Sequence, residues 1–276
     1  LATAFEVGEL SFETTEVAPN LYAMSMSTED SLREYLRLYV KIPLIGRLGV
    51  LASTFDFVAD AAPGVKEILA VGKLCWEVKE RNYDLVVVDA EASGHVVSQI
   101  GAPRVIADLV QVGLVREQTQ WMLDILEDPE RTGVVVTTTP EEMPVIESIE
   151  LLQRLTAETG THPAAVVANR VLPAMFDRTE QKVARGVPAA VPVIVDAVGP
   201  GAAAVVEAAS IIEARRSIGV EHLDRLRGVV SELVPAVPAG GRSRPVPIIT
   251  VPELFSRAHG KRVVTLVADG LEDELC

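Results

Sequence analysis

Three runs of apolar, largely β-branched residues end in polar or turn-forming residues, and this pattern predicts the buried strands of a parallel sheet. The runs cover residues 84–89, 133–139 and 162–169. Ligands of such sheets bind beyond the carboxyl ends of the strands. Asp89 and Asn169 end two of the runs, so we expect both side chains at one crevice. For residues 84–89 alone, a strand followed by an ordinary Asp turn is the alternative.

Between the strands, apolar residues recur every three or four positions, which is the spacing of amphipathic helices. It predicts helices over 31–39, 65–78, 96–110, 116–126 and 145–159, and a mostly helical region over 174–235. Ser27 and Thr28 are residue types that cap the first of these helices. Further strands are predicted at 21–26, 245–251 and 261–267. The alternation predicts an α/β fold in which a mostly parallel sheet is flanked by helices.

One segment, 42–57, is unusually rich in large apolar residues. An exposed apolar surface of this kind would bind a client or a partner protein. The alternative is a plain helical core, which is the commoner fate of such a segment.

Charge and composition narrow the classes of function. The formal net charge of −14 argues against a nucleic-acid-binding surface. Acidic residues interrupt every long apolar run, so no stretch reaches the roughly 18 residues that span a bilayer. Cys75 and Cys276 lie far apart without a CxxC pair, which argues against a disulfide scaffold or a zinc site within one chain. We therefore expect a protein of the reduced cytoplasm, with Cys75 as a packed core residue rather than a metalloid ligand.

The motifs that follow the predicted strands resemble those of the anion-transporting ATPase family. That family includes the arsenite-efflux ATPases and the ATPases that target tail-anchored membrane proteins. The resemblance rests on the order and spacing of five short stretches, at 88–95, 102–104, 139–141, 167–170 and 251–252. It implies a P-loop NTPase fold with three α/β/α layers, in a single domain over 1–276. A helical subdomain is expected at about 28–80 and a second helical region at about 174–235.

The resemblance assigns catalytic roles to three residues near the first predicted strand. Asp89 matches the strand-end carboxylate that lies near Mg²⁺, so it is expected to be both the catalytic and the metal-associated residue. Gly94 and His95 match the switch II loop, in which the glycine gives freedom for a backbone contact and the histidine couples the nucleotide state to the rest of the molecule.

The resemblance places the nucleotide-binding residues at the ends of two other strands. Asn169 matches the residue that hydrogen-bonds the adenine edge, and Pro252 with its neighbours would pack on the base. Arg170 and Glu253 adjoin these two residues. The implied cofactors are ATP and Mg²⁺.

The implied function is a dimeric ATPase that couples its nucleotide state to the binding or delivery of a client. The dimer would form with a second copy or with a paralogous ATPase, and the client would be an anion or a hydrophobic segment of a membrane protein. Nucleic acid is not an expected partner. The expected location is the cytoplasm, either free or peripheral to the membrane.

The chain departs from the family pattern in two ways. Residues 90–93 read Ala-Glu-Ala-Ser where the family has Thr-Ala-Pro-Thr, so a carboxylate enters the switch loop. The Gly-rich Lys loop that cradles phosphates is also absent, and we expect it, with its strand, in a segment of the native protein that precedes residue 1. These departures favour an alternative function, a catalytically weakened paralogue that serves as the nucleotide-binding or scaffolding partner of an active subunit. A Rossmann-type oxidoreductase is a weaker alternative, because no GxGxxG follows a predicted strand.

Overall fold

The computed structural model describes residues 1–35, 65–90, 93–110, 112–177, 179–233, 245–256 and 259–275. The apolar segment 42–57, the switch residues 91–92 and Cys276 lie outside the described residues.

A three-stranded parallel sheet forms the centre of the fold. Its strands are β3 (Val134–Thr138), β4 (Pro163–Val171) and β5 (Ile248–Pro252), with β4 in the middle. Val136 pairs with Val166, which in turn pairs with Ile248. The predictions of strands at 133–139, 162–169 and 245–251 are therefore confirmed, as is the α/β fold class. Near the start of the chain, β1 (Thr15–Ala18) and β2 (Leu21–Ala23) form a separate antiparallel hairpin.

Helices make up most of the remaining described residues. In chain order they are α1 (Ala2–Phe5), α2 (Thr28–Tyr35), α3 (Val65–Lys79), α4 (Ser93–Leu109), α5 (Leu114–Leu126), α6 (Glu142–Arg154), α7 (Glu180–Ala184), α8 (Val187–Val198), α9 (Gly201–Glu232) and α10 (Lys261–Leu275). Helix α6 continues as one π-helical turn, Leu155–Thr159. The predicted cap of α2 is confirmed, because the Asp30 backbone N–H donates to Ser27 Oγ at 3.3 Å. None of the helices in the described ranges is both long enough and apolar enough to cross a bilayer.

The main core lies between the sheet and two helices, α6 and α9. Leu152 of α6, Val166 of β4 and Leu226 of α9 are completely buried in it. Only the second half of α9 takes part, since its buried residues begin at Gly219. Each large side chain removed from water here stabilises the fold by roughly 1.5–3 kcal/mol.

A second apolar cluster holds the helices α3 and α5 together. It consists of Val71, Cys75, Met122 and Ile125. Cys75 is only 2% exposed, which confirms the prediction that it is a packed core residue. Helix α4 lies against α3, α5 and α6, so it joins this helical layer to the helix that covers the sheet.

Two strand predictions are wrong. Residues 84–89 form no strand with any described residue, and three of their four apolar side chains are exposed, at 77% for Leu85, 82% for Val87 and 49% for Val88. A strand forms only where a neighbour supplies its backbone hydrogen bonds, and among the described strands β3 pairs only with β4. Residues 261–267 belong to α10 instead, with Val263, Val267 and Gly270 on its less exposed face.

Candidate functional site

The carboxyl ends of β4 and β5 meet at one edge of the sheet, as expected for parallel neighbours. Val171, the last residue of β4, pairs with Pro252, the last residue of β5. The Glu253 backbone N–H donates to the Val171 carbonyl oxygen at 3.0 Å, which extends the pairing one residue beyond β5. The register is irregular between Ala168 and Val171, so the backbone departs from a regular ladder where Asn169 and Arg170 lie.

Four predicted nucleotide-binding residues come together here: Asn169, Arg170, Pro252 and Glu253. Arg170 adopts a left-handed backbone conformation with φ of 60°, which is uncommon for a residue with a side chain. Its guanidinium Nε donates to Glu253 Oε2 at 2.8 Å, and this ion pair joins the ends of the two strands. Strain of this kind concentrates at ligand sites, where surrounding contacts hold it in place.

Among the described residues, only the oxygen end of the Asn169 side-chain amide is hydrogen-bonded. Its Oδ1 accepts the Arg170 backbone N–H at 2.9 Å, which fixes the orientation of the side chain. Its Nδ2 makes no hydrogen bond to another described residue, and the residue is only half-buried. The amide therefore presents a donor, oriented by its own backbone, toward a ligand that offers an acceptor. An adenine ring nitrogen is such an acceptor, so this end of the site fits a nucleotide base.

The predicted catalytic residues lie in a different setting. Asp89 is exposed near the end of the segment 84–90, which belongs to no helix or strand, and Gly94 and His95 are exposed in the first turn of α4. A side chain added at Gly94 would meet nothing within 4 Å. Among the described residues, neither Asp89 nor His95 forms a hydrogen bond or ion pair, so no such contact ties them to the four residues at the strand ends. Their catalytic roles stay predictions.

A metal site of three or more His, Cys, Asp or Glu side chains does not occur within the described ranges. Mg²⁺ does not need one, because nucleotide-bound Mg²⁺ is held by phosphate oxygens, waters and one or two carboxylates. Asp89 is an exposed carboxylate that fits this limited role.

The sequence did not predict the packing of α9 over the end of β3. Gly219 of α9 lies so close to Pro140 that a Cβ at this position would be 3.2 Å from the Pro140 carbonyl oxygen. Arg215 Nη2 also contacts Glu141 Oε1 at 3.2 Å. The only signal in the sequence is a glycine in an otherwise helical run, which permits close approach of a backbone. Helix α9 therefore covers the carboxyl end of β3, whereas the ends of β4 and β5 carry the free amide.

Comparison with known proteins gives one family. The family model described as anion-transporting ATPase matches residues 1–120 and 109–185. These ranges contain Asp89, His95, Asn169 and Arg170, whereas Pro252 and Glu253 lie beyond them.

Two curated relatives carry related names. The ATPase BagA of Mycobacterium tuberculosis is 27% identical over 175 residues, which is 61% of this chain and 51% of the relative. An ATPase ASNA1 homolog of Entamoeba dispar is 22% identical over 190 residues, which is 56% of this chain and 58% of the relative. The chain thus spans about half the length of the curated relatives it matches.

Proposed function

The chain belongs to the anion-transporting ATPase family, and we propose that it is the base-binding and switch-bearing part of a protein that binds and hydrolyses ATP. The observation that carries the proposal is the cluster at the ends of β4 and β5, where Asn169 offers a free amide donor beside Pro252. Family membership supports a nucleotide-dependent ATPase in general.

Asn169 Nδ2 donates a hydrogen bond to an acceptor nitrogen on the adenine edge, and the exposed ring of Pro252 packs against the base. The ion pair of Arg170 with Glu253 keeps the two strand ends at a fixed separation, so the amide and the proline face one ligand together. Such positioning lowers the entropy that a flexible site would lose on binding.

At the phosphate end, Asp89 holds Mg²⁺, directly or through water. The metal ion supplies neutralisation of the negative charge on the phosphate oxygens. Gly94 and His95 lie in the first turn of α4, where backbone N–H groups have no partner within the helix and favour an anion. A change in this turn passes to α3, α5 and α6, because α4 lies against all three.

The phosphate-binding loop of the protein follows a further strand of the sheet. Leu85, Val87 and Val88 are exposed, and one edge of β3, where Val135 is 54% exposed, pairs with no other described strand; both features support a further strand beside them. We place the Gly-rich Lys loop after such a strand, in a segment outside the 276 residues. This segment supplies the phosphate contacts, while the chain described above supplies the base contacts and the switch.

The complete protein acts as a dimer, with a second copy or a paralogous ATPase, and its nucleotide state controls the binding of an anion or a hydrophobic segment. It works in the cytoplasm or at the membrane periphery.

One observation favours a second candidate function: Glu91 brings a carboxylate into the switch loop. Negative charge near a phosphate is unfavourable for turnover, which suits a nucleotide-binding partner of an active subunit.

The test is ATP hydrolysis by the full-length protein, alone and mixed with any co-purifying paralogue. We expect Mg²⁺-dependent turnover that Asp89→Asn abolishes. Asp84→Asn is the matched control, since Asp84 is an exposed carboxylate at the other end of the same segment. Equal turnover by the two variants would rule out Asp89 as the metal-associated residue. ATP binding with turnover only in the presence of the paralogue would favour the second candidate function.

A further inference from the structure

Phe255 carries the most exposed aromatic ring among the described residues, at 70%. Tyr22 is the other exposed ring in this part of the chain, at 46%, and its centroid lies 5.9 Å from that of Tyr83. Phe255 has no such ring partner within the described ranges. A single exposed apolar side chain is common at protein surfaces and by itself assigns nothing. The backbone beneath this ring is what sets it apart.

The backbone of Phe255 lies in the left-handed region, with φ of 46°. For a bulky side chain this conformation is a true outlier, and it costs free energy that the surrounding structure has to offset. Arg170 shares the conformation, with φ of 60°. Arg170 is the last residue but one of β4, and Phe255 lies three residues beyond the end of β5. Strained residues of this kind cluster at ligand sites.

The chain just before Phe255 is fixed to the carboxyl end of β4. The Glu253 backbone N–H donates to the Val171 carbonyl oxygen at 3.0 Å, and Glu253 Oε2 accepts from Arg170 Nε at 2.8 Å. Phe255 follows two residues later, and two residues span at most about 7 Å between Cα atoms. The exposed ring therefore belongs to the edge of the sheet at which the nucleotide base is proposed to bind.

We propose that the Phe255 ring stacks on the face of the purine base that Pro252 leaves uncovered. This inference rests on the proposed function and assigns a second apolar contact to the same site. Stacking of a base on an aromatic side chain is favourable for every base, because each base has a π face. Phe255 therefore supplies affinity for the base, whereas the amide of Asn169 reads its edge.

The surroundings of the ring suit a flat small ligand better than a protein surface. The exposed apolar groups at this edge are the rings of Pro252 and Phe255, and the charged side chains of Arg170 and Glu253 lie beside them. A stable protein interface buries about 800 Å² on each partner around an apolar centre. Two rings flanked by an ion pair offer far less apolar surface, but they match the two faces of one purine.

The probes are ATP and ribose 5-triphosphate, each with Mg²⁺, since the second carries the same phosphates but no base. Calorimetry measures the affinity of the full-length protein for each. We expect Phe255→Ala to weaken ATP binding by between about 5-fold and about 150-fold, the range for loss of one stacked base. Binding of ribose 5-triphosphate should be unchanged. Tyr22→Ala is the matched control, because it removes an exposed ring from β2, which belongs to a separate sheet.

Two further variants separate stacking from a role in folding. Phe255→Trp keeps an aromatic face, so it should retain the affinity for ATP. Its added indole emission should respond to ATP but not to ribose 5-triphosphate, and Tyr22→Trp gives the background response. Phe255→Gly removes the ring and the backbone strain together, because glycine adopts the left-handed region freely. It should lose ATP affinity as Phe255→Ala does, yet unfold at no lower urea concentration.

Three results would overturn the stack and leave the base site in place. The first is unchanged ATP affinity in Phe255→Ala when Asn169→Asp weakens it. The second is an equal loss of affinity for ATP and ribose 5-triphosphate in Phe255→Ala. The third is unchanged ATP affinity with an altered oligomeric state in sedimentation, which would assign the ring to a protein interface. Failure of the unaltered protein to bind either probe would instead refute the proposed function, and the stack with it.

Discussion

Arg170 and Glu253 are 83 residues apart in sequence, yet Arg170 Nε donates to Glu253 Oε2 at 2.8 Å across the ends of β4 and β5. The arginine side chain is 57% exposed and the glutamate side chain 21%. An ion pair in this setting contributes little to stability but restricts where the strand ends lie.

Glu253→Gln should therefore lower the free energy of unfolding by less than about 1 kcal/mol. The difference should shrink in high salt, which screens exposed charges. Urea denaturation at low and high salt measures both effects. Glu158→Gln is a matched control, because it breaks an exposed ion pair with Arg154 away from the site. A loss several times larger than that of the control would mean that the pair supports the fold rather than the site.

The variant Asn169→Asp tests the donor end of the side-chain amide separately from its acceptor end. The substitution keeps an acceptor for the Arg170 backbone N–H but removes the Nδ2 donor. We expect the affinity of the full-length protein for ATP and ADP to fall roughly tenfold. The variant loses the hydrogen bond to the base, and a carboxylate oxygen then faces the acceptor nitrogen of the adenine edge.

Calorimetric titration with each nucleotide provides the measurement for Asn169→Asp. Asn20→Asp, in the turn between β1 and β2, controls for the added charge. Unchanged affinity in Asn169→Asp would place the base elsewhere.

Gly160→Ala should lower the free energy of unfolding by about 1–3 kcal/mol. Gly160 has φ of 70° where the π-helical turn ends, and a Cβ there would lie 2.5 Å from Arg104 Nη2. Gly228→Ala makes the same chemical change inside α9, where nothing lies within 4 Å. That variant should gain about 0.5–1 kcal/mol, because alanine is the better helix residue. Denaturation curves of the two variants should thus shift in opposite directions, and a shared direction would contradict the local geometry.

Burial raises the pKa of the Cys75 thiol from 9.0 to about 12. The native thiol therefore carries roughly a thousandfold less thiolate at pH 8.5 than an unfolded one, and alkylation should be correspondingly slow. Iodoacetamide labelling of a Cys276→Ser variant, with and without urea, isolates this residue. Labelling at the same rate in both conditions would mean that Cys75 is accessible in the native state.

The same shift predicts the sign of a pH effect. Below about pH 9 the thiol is protonated in both the folded and the unfolded states, so its contribution to stability is fully present. As pH rises from 9 toward 12, the unfolded thiol ionises while the buried one does not, so this contribution is lost. Replacing Cys75 by Ala should flatten that part of the stability curve.

Several features of the protein follow from local sequence alone. The strands β3, β4 and β5 and the helices α3 to α6 were predicted because each has its own apolar periodicity and its own polar or turn-forming ends. Burial of Cys75 follows in the same way, from its position on the apolar face of α3. The order and spacing of five short motifs, among them those that contain Asp89 and Asn169, also sufficed to identify the family.

The remaining features were decided by the tertiary structure, because each of them depends on contacts between residues that are distant in the chain. Residues 84–88 have the composition of a buried strand, but a strand needs a neighbour for its backbone groups, and no described residue provides one. Residues 261–267 form a helix because β5 lies against one face of α10, where Gly270 approaches Pro252. The ion pair of Arg170 with Glu253 and the hydrogen bond of Tyr35 with Gln118 each join positions 83 residues apart. Local patterns determine which elements form, whereas the pairing of their edges and faces determines which side chains meet.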